Sequence, residues 1–130
     1  LNLLCVNPDI FVDVGDLRVW CAGGIAEAFT KAGGNSIYCG KPHRQIYNLA
    51  YSKLKKHNIK CPKILCIGDG INTDILGGNK ENLDTLFICS GLSGPELGMK
   101  NNLEIPNKKK LEELFKKNKI LPTVSISYLN

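Results

Sequence analysis

A short acidic turn is the part of the sequence best suited to chemistry. The segment KILCIGDGINTDILGG, residues 63–78, carries an apolar run that stops at Gly68-Asp69-Gly70, and a second acid, Asp74, follows five residues after the first. Glycines beside an acid allow a tight turn and the close approach of a ligand to the backbone. The carboxylate of Asp69 is therefore a candidate ligand or catalytic group.

Three interpretations of this acidic pair are open. In a purely structural one, Asp69 begins a turn and Asp74 is a first-turn acid favoured by the helix dipole. A dinucleotide loop fits poorly, because the third glycine is missing and an acid stands where a pyrophosphate would approach. A magnesium site fits better, since Mg²⁺ takes hard oxygen ligands and is commonly held by one or two carboxylates and a substrate phosphate.

A lysine precedes the acidic turn by about 28 residues. In YCGKPH, residues 38–43, a short apolar stretch ends at Gly40-Lys41, and Pro42 is suited to the first turn of a helix. An exposed lysine is usually only solvated. Together with a metal-binding carboxylate at the same edge of a sheet, however, Lys41 would form a phosphoryl-binding arrangement that works by positioning and charge neutralisation.

The elements that position these residues follow from hydrophobic periodicity. Strands alternate with helices, which predicts an α/β fold with right-handed crossovers and a mostly parallel sheet flanked by helices, in three Rossmann-like layers. We expect at least three parallel strands, over 36–40, 63–68 and 84–91, to share one sheet, with Asp69 at its carboxyl edge, where such sheets bind ligands. Strands are predicted over 3–6, 36–40, 63–68, 84–91 and 123–129, and helices over 22–34, 42–58, a short segment capped by Thr73, and 107–119.

Composition excludes several classes of protein. A chain of 130 residues is long enough to bury a core and suggests at most one domain. No apolar run approaches the ~18–20 residues that cross a bilayer, which argues against a membrane protein. The net charge is +5, but the lysine cluster over 107–119 is interleaved with apolar residues, as in the wet face of an amphipathic helix. Because arginine is scarce and no aromatic platform accompanies the lysine cluster, we do not expect nucleic acid as a partner.

The cysteines indicate a reducing compartment. Six occur, at positions 5, 21, 39, 61, 66 and 89, and no two are spaced as C-x2-C. That spacing fits neither a zinc site nor the disulfide framework of a small secreted domain. We therefore expect buried thiols and a cytoplasmic protein.

The motifs together resemble one family. GKP followed by IGDGINTDI is similar to the third and fourth motifs of haloacid dehalogenase-like (HAD) phosphohydrolases, and CVNPD (5–9) and ICSGL (88–92) resemble their class IIA branch, which includes sugar-phosphate, nitrophenyl-phosphate and pyridoxal-phosphate phosphatases. The resemblance extends from about Leu4 to Leu129. It implies that residues 1–130 are the C-terminal part of a HAD-like core domain.

The resemblance also implies residue roles. Asp69 would bind Mg²⁺, and Asp74 would orient water on the metal without binding it directly. Lys41 would neutralise the phosphoryl group of a small phosphorylated metabolite. Gly68, Gly70 and Thr73 would shape the turn beside the phosphate. These roles would make Lys41 and Asp69 the catalytic residues of this chain.

Asn7 and Asp9 match the point where such chains return from the cap domain to the core. They are candidates for a substrate contact.

The resemblance to the HAD motifs also identifies what the 130 residues lack. HAD phosphatases use an Asp-x-Asp motif whose first acid is the nucleophile and whose second is a general acid/base, and a Ser or Thr in the second motif. Neither motif is present, and most of the substrate-selecting cap is missing too. Two hypotheses follow: the chain is one half of a phosphatase, whose N-terminal half could act in trans, or it is a non-catalytic α/β remnant or binding module. Alone, it is expected to be inactive.

Overall fold

The chain forms two compact units. The computed structural model describes residues 1–15, 17–60 and 63–129, and the chain divides into Leu1–Pro62 and Lys63–Asn130. Length alone had suggested at most one domain. Both units combine parallel strands with helices, so the predicted α/β class is confirmed.

In its described residues, the first unit contains four strands and two helices. The elements are β1 (Asn2–Cys5), β2 (Phe11–Val14), β3 (Leu17–Trp20), α1 (Ala22–Lys31), β4 (Asn35–Tyr38) and α2 (Arg44–Lys56). β1 pairs with β4 in parallel, and β2 and β3 form an antiparallel hairpin. The hydroxyl of Thr30, near the end of α1, donates to Ser36 of β4 at 2.9 Å, and Ser36 donates to the carbonyl of Ala26 at 2.9 Å. These bonds connect α1 to the β1–β4 pair.

The second unit is a parallel sheet with helical segments. The elements are β5 (Leu65–Gly68), a π-helical turn (Ile71–Ile75), α3 (Leu76–Lys80), β6 (Asp84–Ile88), α4 (Lys108–Asn118) and β7 (Val124–Ile126). The strand order is β5-β6-β7, and both pairings are parallel. The π-helical turn follows β5 and runs directly into α3.

The core of the second unit lies between one face of this sheet and the helical segments. Phe87 of β6 is fully buried, and its ring meets that of Phe115 of α4 edge-on, with centroids 5.9 Å apart. Gly78 of α3 lies so close to the sheet that a Cβ there would press on Thr85 and Cys66. The buried cluster consists of Ile71, Ile75, Phe87, Cys89, Leu97, Met99, Leu114 and Ile120.

The lysine-rich helix α4 is amphipathic, as predicted. Leu114 is buried, and Leu111 and Phe115 pack against the core, while its lysines remain exposed. The side chain of Asn107 accepts a hydrogen bond from the backbone N–H of Lys110 at 3.1 Å, which caps the first turn.

Three sequence expectations are wrong. Residues 36–40 do not join the sheet of β5 and β6, because β4 is hydrogen-bonded to β1. Thr73 does not cap a helix, because the π-helical turn begins at Ile71 and Thr73 lies inside it. Pro42 lies in a turn, and α2 begins at Arg44. Within the described ranges, no helix has the length and apolar character needed to span a bilayer.

Candidate functional site

Asp69 lies at the carboxyl end of β5, as predicted. The strand ends at Gly68, and the half-buried Asp69 follows it directly. Its Oδ2 accepts a hydrogen bond from the backbone N–H of Leu92 at 3.0 Å. A hydrogen bond from a backbone amide favours the charged form of a carboxylate and fixes its direction. The acid is therefore oriented by a neighbouring loop.

That loop, residues 90–99, is anchored in the core. Leu97 is fully buried and Met99 nearly so, and both belong to the buried cluster. Inside the loop, the N–H of Gly94 donates to the carbonyl of Gly91, and the N–H of Met99 to that of Gly94, both at 2.9 Å. Burial at one end and internal hydrogen bonds fix the position of the amide that holds Asp69.

Gly91 permits the close approach of this loop to the acid. A Cβ at Gly91 would overlap the carboxylate of Asp69. Gly91 and Leu92 fall in ICSGL, the stretch that resembles the class IIA branch, but the sequence does not identify either of them as a positioning residue for Asp69. The repeated Ser-Gly pairs at 90–91 and 93–94 were the available signal, because small residues mark close backbone contacts.

Asp74 stabilises the turn that follows Asp69. Its side chain is buried, and its Oδ2 accepts a hydrogen bond from the N–H of Gly70 at 3.1 Å. A Cβ at Gly68 would overlap the Asp74 carboxylate, and one at Gly70 would overlap the hydroxyl of Thr73. The residues predicted to shape the turn are thus packed against one another, and their role towards a phosphate remains a prediction.

Two thiols of the sheet are held in the neutral form. Burial and the charge of Asp74 raise the pKa of Cys66, and burial raises the pKa of Cys89 to about 11. A thiol must ionise to act as a nucleophile. These two cysteines are therefore unsuited to nucleophilic catalysis near neutral pH.

Lys41 belongs to the first unit, where its neighbours are closely packed. Gly40 is buried, and a Cβ there would press on Pro8 and on the carbonyl of Val6. On either side of the Gly-Lys-Pro motif, the rings of Tyr38 and His43 stack, with centroids 5.6 Å apart and planes at 15°. Lys41 itself is exposed. Its convergence with Asp69 remains a prediction.

Asn7 and Asp9 hold the segment before the hairpin. The Asn7 amide donates to Cys21 Sγ at 3.3 Å, and its oxygen accepts the N–H of Asp9 at 3.1 Å. The carbonyl of Asp9 accepts the N–H of Gly23 at 3.0 Å, near the start of α1. These are structural bonds, and a substrate contact by either residue remains a prediction.

The donor set around Asp69 is compatible with part of a magnesium site. Asp69 supplies hard carboxylate oxygen at a strand end, which suits Mg²⁺. Asp74 is buried and bonded to Gly70, so it is placed to support the turn rather than to bind a metal directly. Across the described ranges, no three side chains of His, Cys, Asp or Glu form a metal-binding cluster. Asp69 is therefore a candidate for one ligand of a larger set, and its binding of Mg²⁺ remains a prediction.

Comparison with known proteins places these motifs in a family. The family described as HAD-hydrolase-like matches residues 38–111, a segment that includes Lys41, Asp69 and Asp74. Over 93 residues, the chain is 32% identical to the ribonucleotide monophosphatase NagD of Escherichia coli and 29% identical to a dihydroxyacetone phosphatase of Corynebacterium glutamicum. These matches cover 71% of this chain and 35% and 33% of the two relatives.

Solved structures agree over the whole chain. A haloacid dehalogenase-like hydrolase from Brucella suis matches 100% of this chain with a TM-score of 0.71 and 32% identity, and a possible sugar phosphatase from Cytophaga hutchinsonii matches 99% with a TM-score of 0.70 and 26% identity. The matches cover 45% and 42% of those proteins, so this chain spans less than half of the structures and about a third of the curated relatives. By its motifs, its sequence and its fold, the chain belongs to the haloacid dehalogenase-like hydrolases, in their class IIA phosphatase branch.

Proposed function

We propose that this chain supplies the metal-binding and phosphoryl-binding part of a Mg²⁺-dependent phosphatase that hydrolyses a small phosphorylated metabolite. The observation that carries the proposal is the fixed carboxylate of Asp69 at the end of β5, held by the amide of Leu92. The phosphatase names of the relatives support a phosphate ester as the class of substrate. The free thiols of the five described cysteines support a reducing compartment such as the cytoplasm.

Each residue has a distinct task in this proposal. Asp69 would hold the metal, and Asp74 would hold the turn and help to orient water at that site. Lys41 neutralises the charge on the phosphoryl group and steadies the nucleophile. Gly68, Gly70 and Thr73 give the backbone its shape beside the phosphate. Mg²⁺, when bound, lowers the repulsion between the substrate phosphate and the surrounding carboxylates.

The proposed reaction forms an aspartyl-phosphate. A carboxylate attacks phosphorus, the ester P–O bond breaks, and a second acid protonates the departing alcohol; water then releases phosphate and restores the carboxylate. The 130 residues contain no Asp-x-Asp motif to supply these two acids. We propose that they come from an N-terminal half acting with this chain. The chain alone is then inactive, because loss of a nucleophile costs on the order of 10⁶ in rate.

A second function is supported by the same sequence observation. Without an Asp-x-Asp motif, the chain could serve as a non-catalytic binding module that keeps the phosphate-site turn. The two functions differ in whether activity appears once the complementary half is supplied.

Reconstitution tests the proposal. The chain is combined with a polypeptide comprising the part of the Brucella suis hydrolase that it does not cover, and p-nitrophenyl phosphate hydrolysis is measured with and without Mg²⁺. We expect each component alone to match buffer and the mixture to be active only with Mg²⁺. Failure of the mixture to exceed its components would favour the binding module.

Matched variants identify the residues responsible. Asp69→Asn and Lys41→Ala should each reduce the restored rate by at least about a hundredfold, through loss of transition-state charge stabilisation. Asp84→Asn, at the amino end of β6, and Lys108→Ala, on the exposed side of α4, should leave the rate unchanged. Restored activity that survives Asp69→Asn would refute the role assigned to this acid.

A further inference from the structure

A tight turn of the first unit carries Lys41. Residues 40–43 form a β-turn, in which the backbone N–H of His43 donates to the carbonyl of Gly40 at 2.8 Å. Lys41 is the second residue of this turn, and its side chain is exposed. The stem of a lysine is flexible, so the backbone that carries it sets the region that its ammonium group can reach. The position of the ammonium group of Lys41 therefore depends on how firmly this turn is held.

The start of the turn is fixed by contacts with the main chain. The N–H of Cys39 donates to the carbonyl of Cys5 at 2.9 Å, which extends the pairing of β4 with β1 by one residue. Gly40 is buried, and a Cβ there would press on Pro8 and on the carbonyl of Val6. The chain therefore enters the turn in a defined position.

Two stacked rings connect the start of the turn to its end. Tyr38 is the last residue of β4, and His43 directly precedes α2; both side chains are half-buried. Their rings lie nearly parallel, at 15°, with centroids 5.6 Å apart. Stacked rings attract one another beyond the effect of the area that they bury. The stack therefore closes the segment that contains Lys41 through side chains, in addition to the backbone hydrogen bond.

We infer that Tyr38 and His43 are positioning residues for Lys41: their stacked rings hold the turn that directs the lysine side chain towards the phosphoryl group. The inference rests on the proposed function for the task of Lys41. Neither ring needs to touch the substrate, because both act through the backbone of the turn. Loss of the stack should therefore cost less activity than loss of the lysine itself, whose charge acts directly on the phosphoryl group.

Nuclear magnetic resonance of the chain alone tests the positioning apart from catalysis. We expect the order parameter of the Lys41 amide to be about 0.85 in the original chain, as for rigid backbone, and to fall towards about 0.6 in His43→Ala. His43→Phe keeps a ring at this position and should restore the original value. The matched control is His57→Ala, the same substitution at the exposed C-terminal end of α2, and it should leave the Lys41 amide unchanged.

Tyr38→Leu removes the other ring of the pair. It should lower the order parameter of the Lys41 amide as much as His43→Ala does, and the double variant should lose no more than either single variant, because both changes abolish the same contact. Additive losses would overturn the inference, since each ring would then act separately. An amide that stays ordered in His43→Ala, or that His43→Phe fails to restore, would overturn it as well.

The reconstituted complex tests the consequence for the reaction. His43→Ala should lower kcat for p-nitrophenyl phosphate by about three- to tenfold, the range expected for one aromatic pair, and His43→Phe should recover most of the loss. When Lys41 is already replaced by alanine, His43→Ala should cause no further loss. An equal further loss in that background would show that His43 acts other than through Lys41, and would overturn the inference.

The two measurements separate this inference from the proposed function. Loss of order at the Lys41 amide in His43→Ala, together with an original chain that yields no active complex, would remove the proposed function and leave the stack as the support of the turn. An active complex whose rate His43→Ala does not change would do the reverse.

Discussion

The two units hold their candidate residues in different ways. In the second unit, eight buried residues form one cluster, and this cluster anchors the loop whose amide holds Asp69. In the described part of the first unit, the buried apolar residues are Cys5, Ala26 and Tyr47. Lys41 there follows the β1–β4 pair and is exposed, and the rings of Tyr38 and His43, which flank it in the sequence, stack on each other.

This difference indicates where rigidity is available for chemistry. A metal ligand must be held within a fraction of an ångström, and the buried core of the second unit could provide that precision for Asp69 in its proposed role. A lysine acts at longer range as a point charge on a flexible stem, so it tolerates a less rigid support. The second unit is therefore expected to be the more stable of the two.

Hydrogen exchange offers the strongest test of this comparison. Amides of β6 lie in the middle of the three-stranded sheet, whereas the β2–β3 hairpin is a two-stranded element with mostly exposed side chains. We expect peptides covering β6 to exchange about a thousandfold more slowly than peptides covering the hairpin, a difference of about 4 kcal/mol in opening free energy. Mass spectrometry measures the exchange of the β6 peptides and of the hairpin peptides in one experiment. Equal protection would remove the distinction between the units.

Truncation of Leu97 should cause the next largest change. The side chain is fully buried in the cluster, so Leu97→Ala is expected to lower the free energy of unfolding by roughly 2–5 kcal/mol. Ile105→Ala, a comparable truncation at a side chain 85% exposed, should change it by less than about 0.5 kcal/mol. Urea denaturation provides both values. Similar losses for the two variants would contradict the assignment of the core.

The buried thiol of Cys89 predicts a pH dependence. Its pKa of about 11 lies above that of an unfolded thiol, so between about pH 9 and 11 the unfolded chain loses a proton that the folded chain keeps. Stability from this thiol is complete below about pH 9 and falls as the pH rises to 11, by about 2 kcal/mol. In urea denaturation between about pH 9 and 11, the free energy of unfolding of Cys89→Ala should therefore fall less than that of the original chain. Parallel pH curves would show that Cys89 is not protected by the core.

Gly91→Ala should lower stability by crowding Asp69. The added methyl group would overlap the Cβ of Asp69 as well as its carboxylate, and rotation of the carboxylate does not relieve the overlap with Cβ, so we expect a loss of roughly 1–3 kcal/mol, the usual range of overpacking costs. Gly94→Ala lies in the same loop, and its methyl group would approach only the backbone of Ser90 and Gly91. The two variants are compared by thermal unfolding. A larger loss for Gly94→Ala would show that the Gly91 contact does not constrain the acid.

Local sequence signals predicted much of the second unit. The apolar run before Gly68 predicts strand β5 and places Asp69 at its carboxyl end. The spacing of Leu111, Leu114 and Phe115 predicts which side of α4 is buried. Both signals depend on residues close together in the chain. Pairing of strands is a long-range property, which is why the association of β4 with β1 could not be obtained from the same patterns.

The hairpin of the first unit was missed for a different reason. Its strands are only four residues long, and Val12, Val14, Leu17 and Val19 share one exposed face. The sequence patterns predict no strand over residues 11–20. Gly15, with φ of 62°, was the turn signal within this segment.

The candidate residues are visible in the sequence, but the contacts that support them are not. Asp69 and Asp74 are marked by their motif, whereas the contact of Asp69 with the amide of Leu92 joins positions 23 residues apart. A backbone N–H donor cannot be recognised from the type of side chain that its residue carries. The close approach of Gly91 could have suggested it, because only glycine leaves room for the carboxylate.

The contact between Gly68 and Asp74 has a consequence for how this turn can vary. The carboxylate fills the volume that a methyl group at position 68 would need, so the two positions share a single space. A larger residue at 68 would be accommodated only if a smaller one replaced the acid at 74, and that exchange would remove the acceptor for the N–H of Gly70. Across related sequences the pair should therefore vary jointly or not at all, and a library that randomises either position alone should return mostly the original residue.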